Sequence, residues 1–535
     1  MTASSSSIPF SERVTPALAA IQGNPQSAFV ITALLLGGSL LWTRNSTGAK
    51  SAGFPLLTNQ TPEEFQTDAE KTIEKGRAQY KDKPFTLKTT MGYYTILSPE
   101  LGHALRSEPG LSFMHTSSAN MHSYLPGFEP FKAGDRNEAI LQSVIRKQLT
   151  KSLSHIAKPL SAEASFSIDH NFGSSTAWRS VQPYPGLLDI VARLSSLIFL
   201  GKELCRNDEW LSVTKLYTIN SIEAAQELSG YPVWTRRFVN AWLLPKGRLV
   251  RQQVANANRL IKRVIEERRE RQRDGKVDAQ YVPNAIDWFE EESAGIPYEA
   301  GRLQLMLSTV ATHTTADLLT ETMLRLAQEP EFMEEIRDEI NSVLLAEGAW
   351  TKNALFNLKL LDSALKEAQR LRPITSATMS RMVLAPTPVP GTDRVLPVGA
   401  QTLVSTHLRF DPDVYEQPHK YIGRRFADIR ANGETKLPVH LVSTGVTSLS
   451  FGHGNHACPG RFFAATELKI ALCHLLIKYD WEVDHEQNAS GSAVDMTPHM
   501  NGVGLSVNTS VKLRFRKRTP EEMGIDLDAI GQGTN

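Results

Sequence analysis

Apolar residues recur every three to four positions over 256–273, 303–327, 331–345, 358–371 and 461–479, the spacing that lays them along one face of an α-helix. Strand-like stretches are shorter and local. Residues 395–399 with 401–405 predict one hairpin, and 502–507 with 511–515 predict another near the C-terminus. Together these patterns predict a mainly α fold with small β-sheets. One run obeys neither period: 28–42 is almost unbroken apolar sequence, preceded by a polar, serine-rich stretch and followed by Arg44 and Lys50. As a helix it would span about 22 Å, short of the ~30 Å hydrocarbon core of a bilayer, so flanking residues or local thinning must help. Only Arg13 supplies positive charge ahead of it. That asymmetry predicts an uncleaved anchor with its C-terminal side in the cytosol, in preference to a cleaved signal peptide.

With 535 residues, 41% of them hydrophobic and 21% charged, the chain can bury a large core. Its formal net charge is only +1 and no basic block is sustained. The densest charged run, 266–276, mixes signs and breaks at Gly275, so it predicts a solvated helix end and no nucleic-acid surface. Three cysteines, Cys205, Cys458 and Cys473, are too few for a disulfide framework and fit a reducing compartment.

The candidate chemistry concentrates at Cys458, in the glycine-rich segment 451–460 that runs into a helix. A lone thiolate can ligate a metal, amides at a helix N-terminus stabilise its charge, and glycines let backbone approach a flat macrocycle. A zinc site built from His453, His456 and Cys458 would need a second pair of ligands at short spacing, which is missing nearby. An inert buried cysteine would leave the glycines unexplained.

This segment resembles the cytochrome P450 haem signature FxxGx(R/H)xCxG, matching at Phe451, Gly454, His456, Cys458 and Gly460 and extending through Arg461, Phe462, Phe463 and Ala464. Five such matches arise by chance in a chain of this length with a probability on the order of 10⁻⁴. Glu367 and Arg370 form an ExxR pair at the end of a helix that stops before Pro373. The pair precedes Cys458 by the family's spacing, and Arg425 resembles the arginine that completes a structural cluster with it. Gly423 and Arg424 depart from that motif, where Pro and Glu are usual. Arg381 matches an arginine that pairs with a haem propionate. Arg146 falls where another propionate partner is supplied, although Gln142 occupies the usual Trp position.

The long helix 303–326 carries Val310, Ala311, Thr312, His313, Thr314 and Thr315, and mid-helix threonines that bond back to the preceding turn invite a local distortion. The resemblance makes this the distal helix, with Thr314 delivering protons during oxygen activation. His313 stands where an acid is common and can relay protons near neutral pH. The His-Thr-Thr variant is similar to fungal microsomal enzymes of the ent-kaurene oxidase type.

The resemblance implies a cytochrome P450 fold with an N-terminal transmembrane anchor helix. The parts are a polar segment 1–27, an anchor 28–43, a linker 44–55, a haem-thiolate catalytic domain 56–518 and a tail 519–535. It implies haem b with Cys458 as axial thiolate, whose electron push favours O–O cleavage. The implied partners are O2, a lipophilic small molecule such as a terpenoid or other secondary metabolite, and an NADPH-cytochrome P450 reductase, since the chain has no fingerprint for NADPH or flavin. Lys147 and Lys151 are candidates for docking that reductase. The implied location is the endoplasmic reticulum membrane, single-pass, with the catalytic domain cytosolic. The pocket is expected from 113–128, 307–314, 374–379 and 501–503. Two other classes share these residues: a redox-neutral haem-thiolate isomerase or dehydratase, prompted by His313, and a membrane-anchored haem or lipophile binder without catalysis, against which Thr314 and Thr315 argue.

Overall fold

The computed structural model describes residues 53–275, 281–433, 436–486 and 495–531. The anchor expected at 28–43 lies outside the described residues, as do the polar segment 1–27 and residues 44–52.

The helices that shape and support the site are α1 (Arg136–Val144), α2 (Thr150–Phe172), α3 (Pro183–Leu200), α4 (Asp208–Ser229) and α5 (Pro245–Arg273). They continue with α6 (Ala300–Leu326), α7 (Pro330–Glu347), α8 (Lys359–Leu371) and α9 (Arg461–Lys478). Their ends follow local chemistry. Pro330 opens α7 and Gly348, at φ 65°, closes it; α8 stops at Arg372 because Pro373 disfavours helix in the residue before it. The expected start of α5 at residue 256 is too late: the helix begins at Pro245, whose fixed φ suits a first helical position.

A single large apolar core joins α2, α3, α6, α8 and α9. Among the described residues α3 alone is long and apolar enough to cross a membrane, and it is largely buried against α6 and α2. Helix α6 runs unbroken through its threonines, so the expected distortion is not seen. The hydroxyls of Thr309, Thr312, Thr314, Thr320 and Thr322 each donate to the carbonyl four residues back, at 2.7–2.9 Å, which satisfies them without opening the helix.

The strands, in chain order, are β1 (Phe85–Thr89), β2 (Gly92–Leu97), β3 (Leu111–Ser112), β4 (Arg179–Val181), β5 (Ala377–Val383), β6 (Thr387–Pro388), β7 (Val395–Leu396) and β8 (Gln401–Ser405). They end with β9 (Tyr479–Val483), β10 (His499–Asn501), β11 (Gly504–Ser506) and β12 (Leu513–Lys517). The largest sheet has the order β1-β2-β8-β5-β3. Both expected hairpins are mispaired. β7 pairs with β6, while β8 lies parallel to β2 and antiparallel to β5, so both of its edges are already taken. β11 pairs with β10, and β12 with β9 and β4. Alternation identifies a strand but carries no information about a partner distant in sequence.

Candidate active site

A cavity of about 870 Å³ opens between α6, the segment after α8, the turn after β10 and the loop before α9. Each of the four segments expected to form it contributes, through Phe113 and Met114, Val310 and Thr314, Ile374 and Met379, and Asn501 and Val503. Val310 is 46% exposed although it sits mid-helix, because its side chain faces this cavity.

Cys458 lies on the cavity wall with Phe451, Gly452, His456, Ala457 and Pro459. The loop is held from within: Cys458 N–H donates to Phe451 O at 2.7 Å, and Arg461 Nη1 donates to Cys458 O at 2.8 Å. Burial pushes the thiol pKa up, while the amides of Gly460 and Arg461, at the start of α9, and the Arg461 charge pull it down. The sulfur is thus placed where a metal ion would complete the stabilisation of its thiolate. Cys205 and Cys473 are buried elsewhere and line no part of this cavity.

The glycines divide into two kinds. Gly454 has φ 74°, and a Cβ there would lie 2.3 Å from Arg106 O, so its small size admits neighbouring backbone and not a cofactor. Gly460 caps α9, and a Cβ on it would meet no protein atom within 4 Å.

Three donors gather at one end of the cavity. Arg381, on β5, is 5% exposed; its Nη1 donates to Ser380 O at 2.8 Å and its Nη2 has no hydrogen-bond partner among the described residues. Burial lowers its pKa to about 10. His456 Nε2 lies 3.0 Å from Leu111 O, so that nitrogen carries the proton; burial lowers the ring pKa, helped by the charges of Arg381 and Arg146. Arg146 reaches Asn455 O at 3.1 Å from a π-helical turn, Ile145–Leu149, that joins α1 to α2. The turn also presents Ile145 to the cavity, and the end of α1 presents Gln142. Among the described residues neither arginine meets a carboxylate, and with the sulfur on the same cavity wall they fit a planar iron macrocycle that carries two carboxylates.

Thr314 and His313 part company. The Thr314 hydroxyl lines the cavity and donates to Val310 O at 2.9 Å. His313 does not line it: Nε2 lies 2.8 Å from Lys215 O on α4 and Nδ1 lies 3.4 Å from the Tyr184 hydroxyl. Burial lowers its pKa, so it is a neutral ring bridging α6 to α4. The expectation that it relays protons into the site fails on position. His453 also turns away, lying 3.0 Å from both His103 Nδ1 and the Thr444 hydroxyl.

Glu367, Arg370 and Arg425 form a buried network outside the cavity. Arg370 grips Glu367 with two contacts of 2.8 Å, and Arg425 Nε donates to the same carboxylate at 2.9 Å. Gly423 departs from the motif for a packing reason, since a Cβ there would lie 2.1 Å from the Phe332 ring. Arg424, the other departure, pairs with Glu335 on α7.

Sequence reasoning missed Phe65, Gln66 and Met91 from the N-terminal side, and Asp317, Gln369 and Arg372 from α6 and the end of α8. Asp317 follows Thr314 by one helical turn, a spacing that could have found it. The N-terminal residues carry no such signal.

Residues 151–499 match the family profile described as Cytochrome P450. The chain is 41% identical to the cytochrome P450 monooxygenase hepE of Aspergillus oryzae, with 87% of this chain and 84% of that protein covered. It is 39% identical to eqxH of Fusarium heterosporum, covering 89% and 90%, and 36% identical to TRI1 of Fusarium sporotrichioides, covering 80% and 78%, both also cytochrome P450 monooxygenases. Among solved structures, the retinoic acid bound cyanobacterial CYP120A1 superposes with a TM-score of 0.63 at 17% identity, covering 87% of this chain and 99% of that one. That likeness concerns the fold.

Proposed function

The chain belongs to the cytochrome P450 family, and on that premise we propose that this monooxygenase inserts one oxygen atom of O2 into a lipophilic small molecule, a terpenoid or other secondary metabolite. The second oxygen atom leaves as water, and the two electrons come from NADPH through a separate reductase. The observation that carries this reading is the placing of Cys458 and Thr314 on the wall of one cavity of about 870 Å³.

Haem iron held by the Cys458 thiolate supplies O2 binding and O–O cleavage when bound. The chain's own residues do the rest. The amides of Gly460 and Arg461 would hold charge on the sulfur, and Arg381 and Arg146 would hold the carboxylates of the group. Phe113, Val310 and Ile374 exclude water and fit an apolar substrate. The Thr314 hydroxyl can turn from Val310 O to hold or pass a proton at its Oγ1. With His313 turned toward α4, nothing in its position favours a redox-neutral isomerase.

We place the reductase near Lys147 and Lys151, where Lys147 Nζ lies 3.4 Å from Glu292 and is exposed. Turnover that falls with added salt, and less steeply after Lys147→Ala, supports this site. Endoplasmic reticulum anchorage through 28–43, with a cytosolic catalytic domain, is supported by the apolar run and the basic residues behind it.

The test is the reduced carbon monoxide difference spectrum of the purified protein beside Cys458→Ser. A strongly red-shifted Soret band in the parent that is lost in the variant is expected. A band unaffected by the substitution overturns the assignment of the ligand.

A further inference from the structure

Among the described residues, two that line the cavity carry a side-chain nitrogen buried without a hydrogen-bond or ion-pair partner: Arg381 Nη2 and Arg372 Nη1. The first belongs to the carboxylate clamp already described. The second lies at the C-terminal end of α8, where Arg372 meets Asp317 of α6.

Arg372 is 4% exposed. Its Nε donates to Glu321 Oε2 at 2.7 Å, and its Nη2 lies 2.8 Å from Asp317 Oδ2. Asp317 Oδ1 accepts from Val507 N–H at 2.8 Å, and Arg325 Nε donates to the other oxygen of Glu321 at 2.9 Å. Two guanidinium groups therefore face two carboxylates, and the cluster is balanced. Burial alone would lower Arg372, but Asp317 and Glu321 leave its pKa raised, so it stays charged. A structural clamp between α6 and α8 needs only the inner edge of the guanidinium. The outer nitrogen, Nη1, is a buried charged donor without an acceptor among the described residues, on a residue in the wall of an otherwise largely apolar cavity, an arrangement that is destabilising unless a ligand supplies the partner.

We propose that Arg372 is a substrate-recognition residue whose Nη1 donates to a neutral oxygen acceptor, a carbonyl or hydroxyl, on a lipophilic substrate already oxygenated elsewhere. This rests on the monooxygenase reading of the same cavity. The ligand oxygen is neutral because the cluster is balanced: a carboxylate would bring an unpaired negative charge beside Asp317. A hydroxyl has a further fit, since it can accept from Nη1 and donate to Asp317 Oδ2, which lies against the other arm of the same guanidinium. An enzyme that adds oxygen to hydrocarbons thus carries a seat for oxygen already present. It follows that another oxidation, or a cyclisation that leaves a carbonyl or hydroxyl, comes before this one.

The test titrates the haem-loaded protein, by its Soret shift, with matched sets of probes: valencene, nootkatol and nootkatone, and the androstane hydrocarbon, 3-alcohol and 3-ketone. The expected result is that in at least one set the oxygenated members bind about tenfold tighter than the hydrocarbon. The preference should vanish in Arg372→Lys, which keeps a cation beside Asp317 and Glu321 but lacks the outer nitrogen. No preference in any set, or a preference unchanged by the substitution, overturns the proposal. The infrared carbonyl stretch of the tightest-bound ketone in the parent protein gives a readout that needs no variant. A shift to lower wavenumber is expected, and an unshifted band overturns the assignment. The carbon monoxide spectrum is recorded on each sample first: its thiolate band failing in the parent defeats the monooxygenase reading, whereas a normal band without oxygen preference defeats Arg372 alone.

Discussion

Thr314 and His313 are neighbours on α6, yet they serve different surfaces: the Thr314 hydroxyl lies in the cavity 2.9 Å from Val310 O, while His313 Nε2 lies 2.8 Å from Lys215 O on α4. A helix turns about 100° per residue, so adjacent side chains cannot share one face.

The two substitutions should therefore separate. Thr314→Ala is expected to lower the fraction of NADPH oxidation that yields product by about tenfold or more. His313→Phe should keep that coupling and instead cost about 1–3 kcal/mol of stability, because Lys215 O loses its donor. Product and NADPH assays on both variants, with urea unfolding, decide this. Full coupling in Thr314→Ala would remove Thr314 from proton delivery.

Arg381 should matter through the cofactor and not through the fold. Its Nη2 has no partner among the described residues and its Nη1 reaches only the carbonyl of the adjacent Ser380, so Arg381→Gln unpairs a single backbone acceptor. Losing one charge-assisted hydrogen bond, worth about 1.5–3 kcal/mol, should weaken haem retention by roughly tenfold or more. The haem-to-protein ratio after dilution reads this out, and a ratio equal to that of the parent would contradict the clamp.

Glu367→Gln leaves Arg370 and Arg425 sharing a neutral amide in a site where Glu367 is 0% exposed. The expected cost is about 3–5 kcal/mol. The half-exposed pair of Arg424 and Glu335 is the control, and Arg424→Ala should cost about 0–1 kcal/mol. Denaturant unfolding compares them; equal costs would show that the buried network is not a stability element.

Glu467, on α9, accepts a 2.8 Å hydrogen bond from the Ser195 hydroxyl on α3, and burial pushes its pKa up to about 8. Between its ordinary value of 4.5 and about 8, the folded chain holds a proton that the unfolded chain has lost, so its contribution to stability falls as pH rises through that window. Glu467→Gln should match the parent at pH 5 and melt higher at pH 8.5. Calorimetry at both pH values checks this, and parallel shifts would refute it.

The helices and the cysteine loop were legible because their signals are local. The apolar period locates α6, α8 and α9 to within a few residues, and the spacing of Phe451, Gly454 and Cys458 identifies the loop. The strand partners were not legible, because β8 finds β2 across most of the chain and takes β5, not β7, on its other edge. The contributions of Phe65 and Met91 to the cavity were hidden for the same reason.

The sequence by itself determined the family, the thiol that faces the cofactor and the residues of the buried ion network, since each depends on residue types at short fixed spacing. Tertiary structure alone decided which way His313 points, why Gly423 and Gly454 must be glycine, and that Arg372, a residue of the cavity wall, keeps a donor unpartnered among the described residues. Those outcomes depend on atoms brought together from distant segments, and distances of that kind are set only when the chain packs.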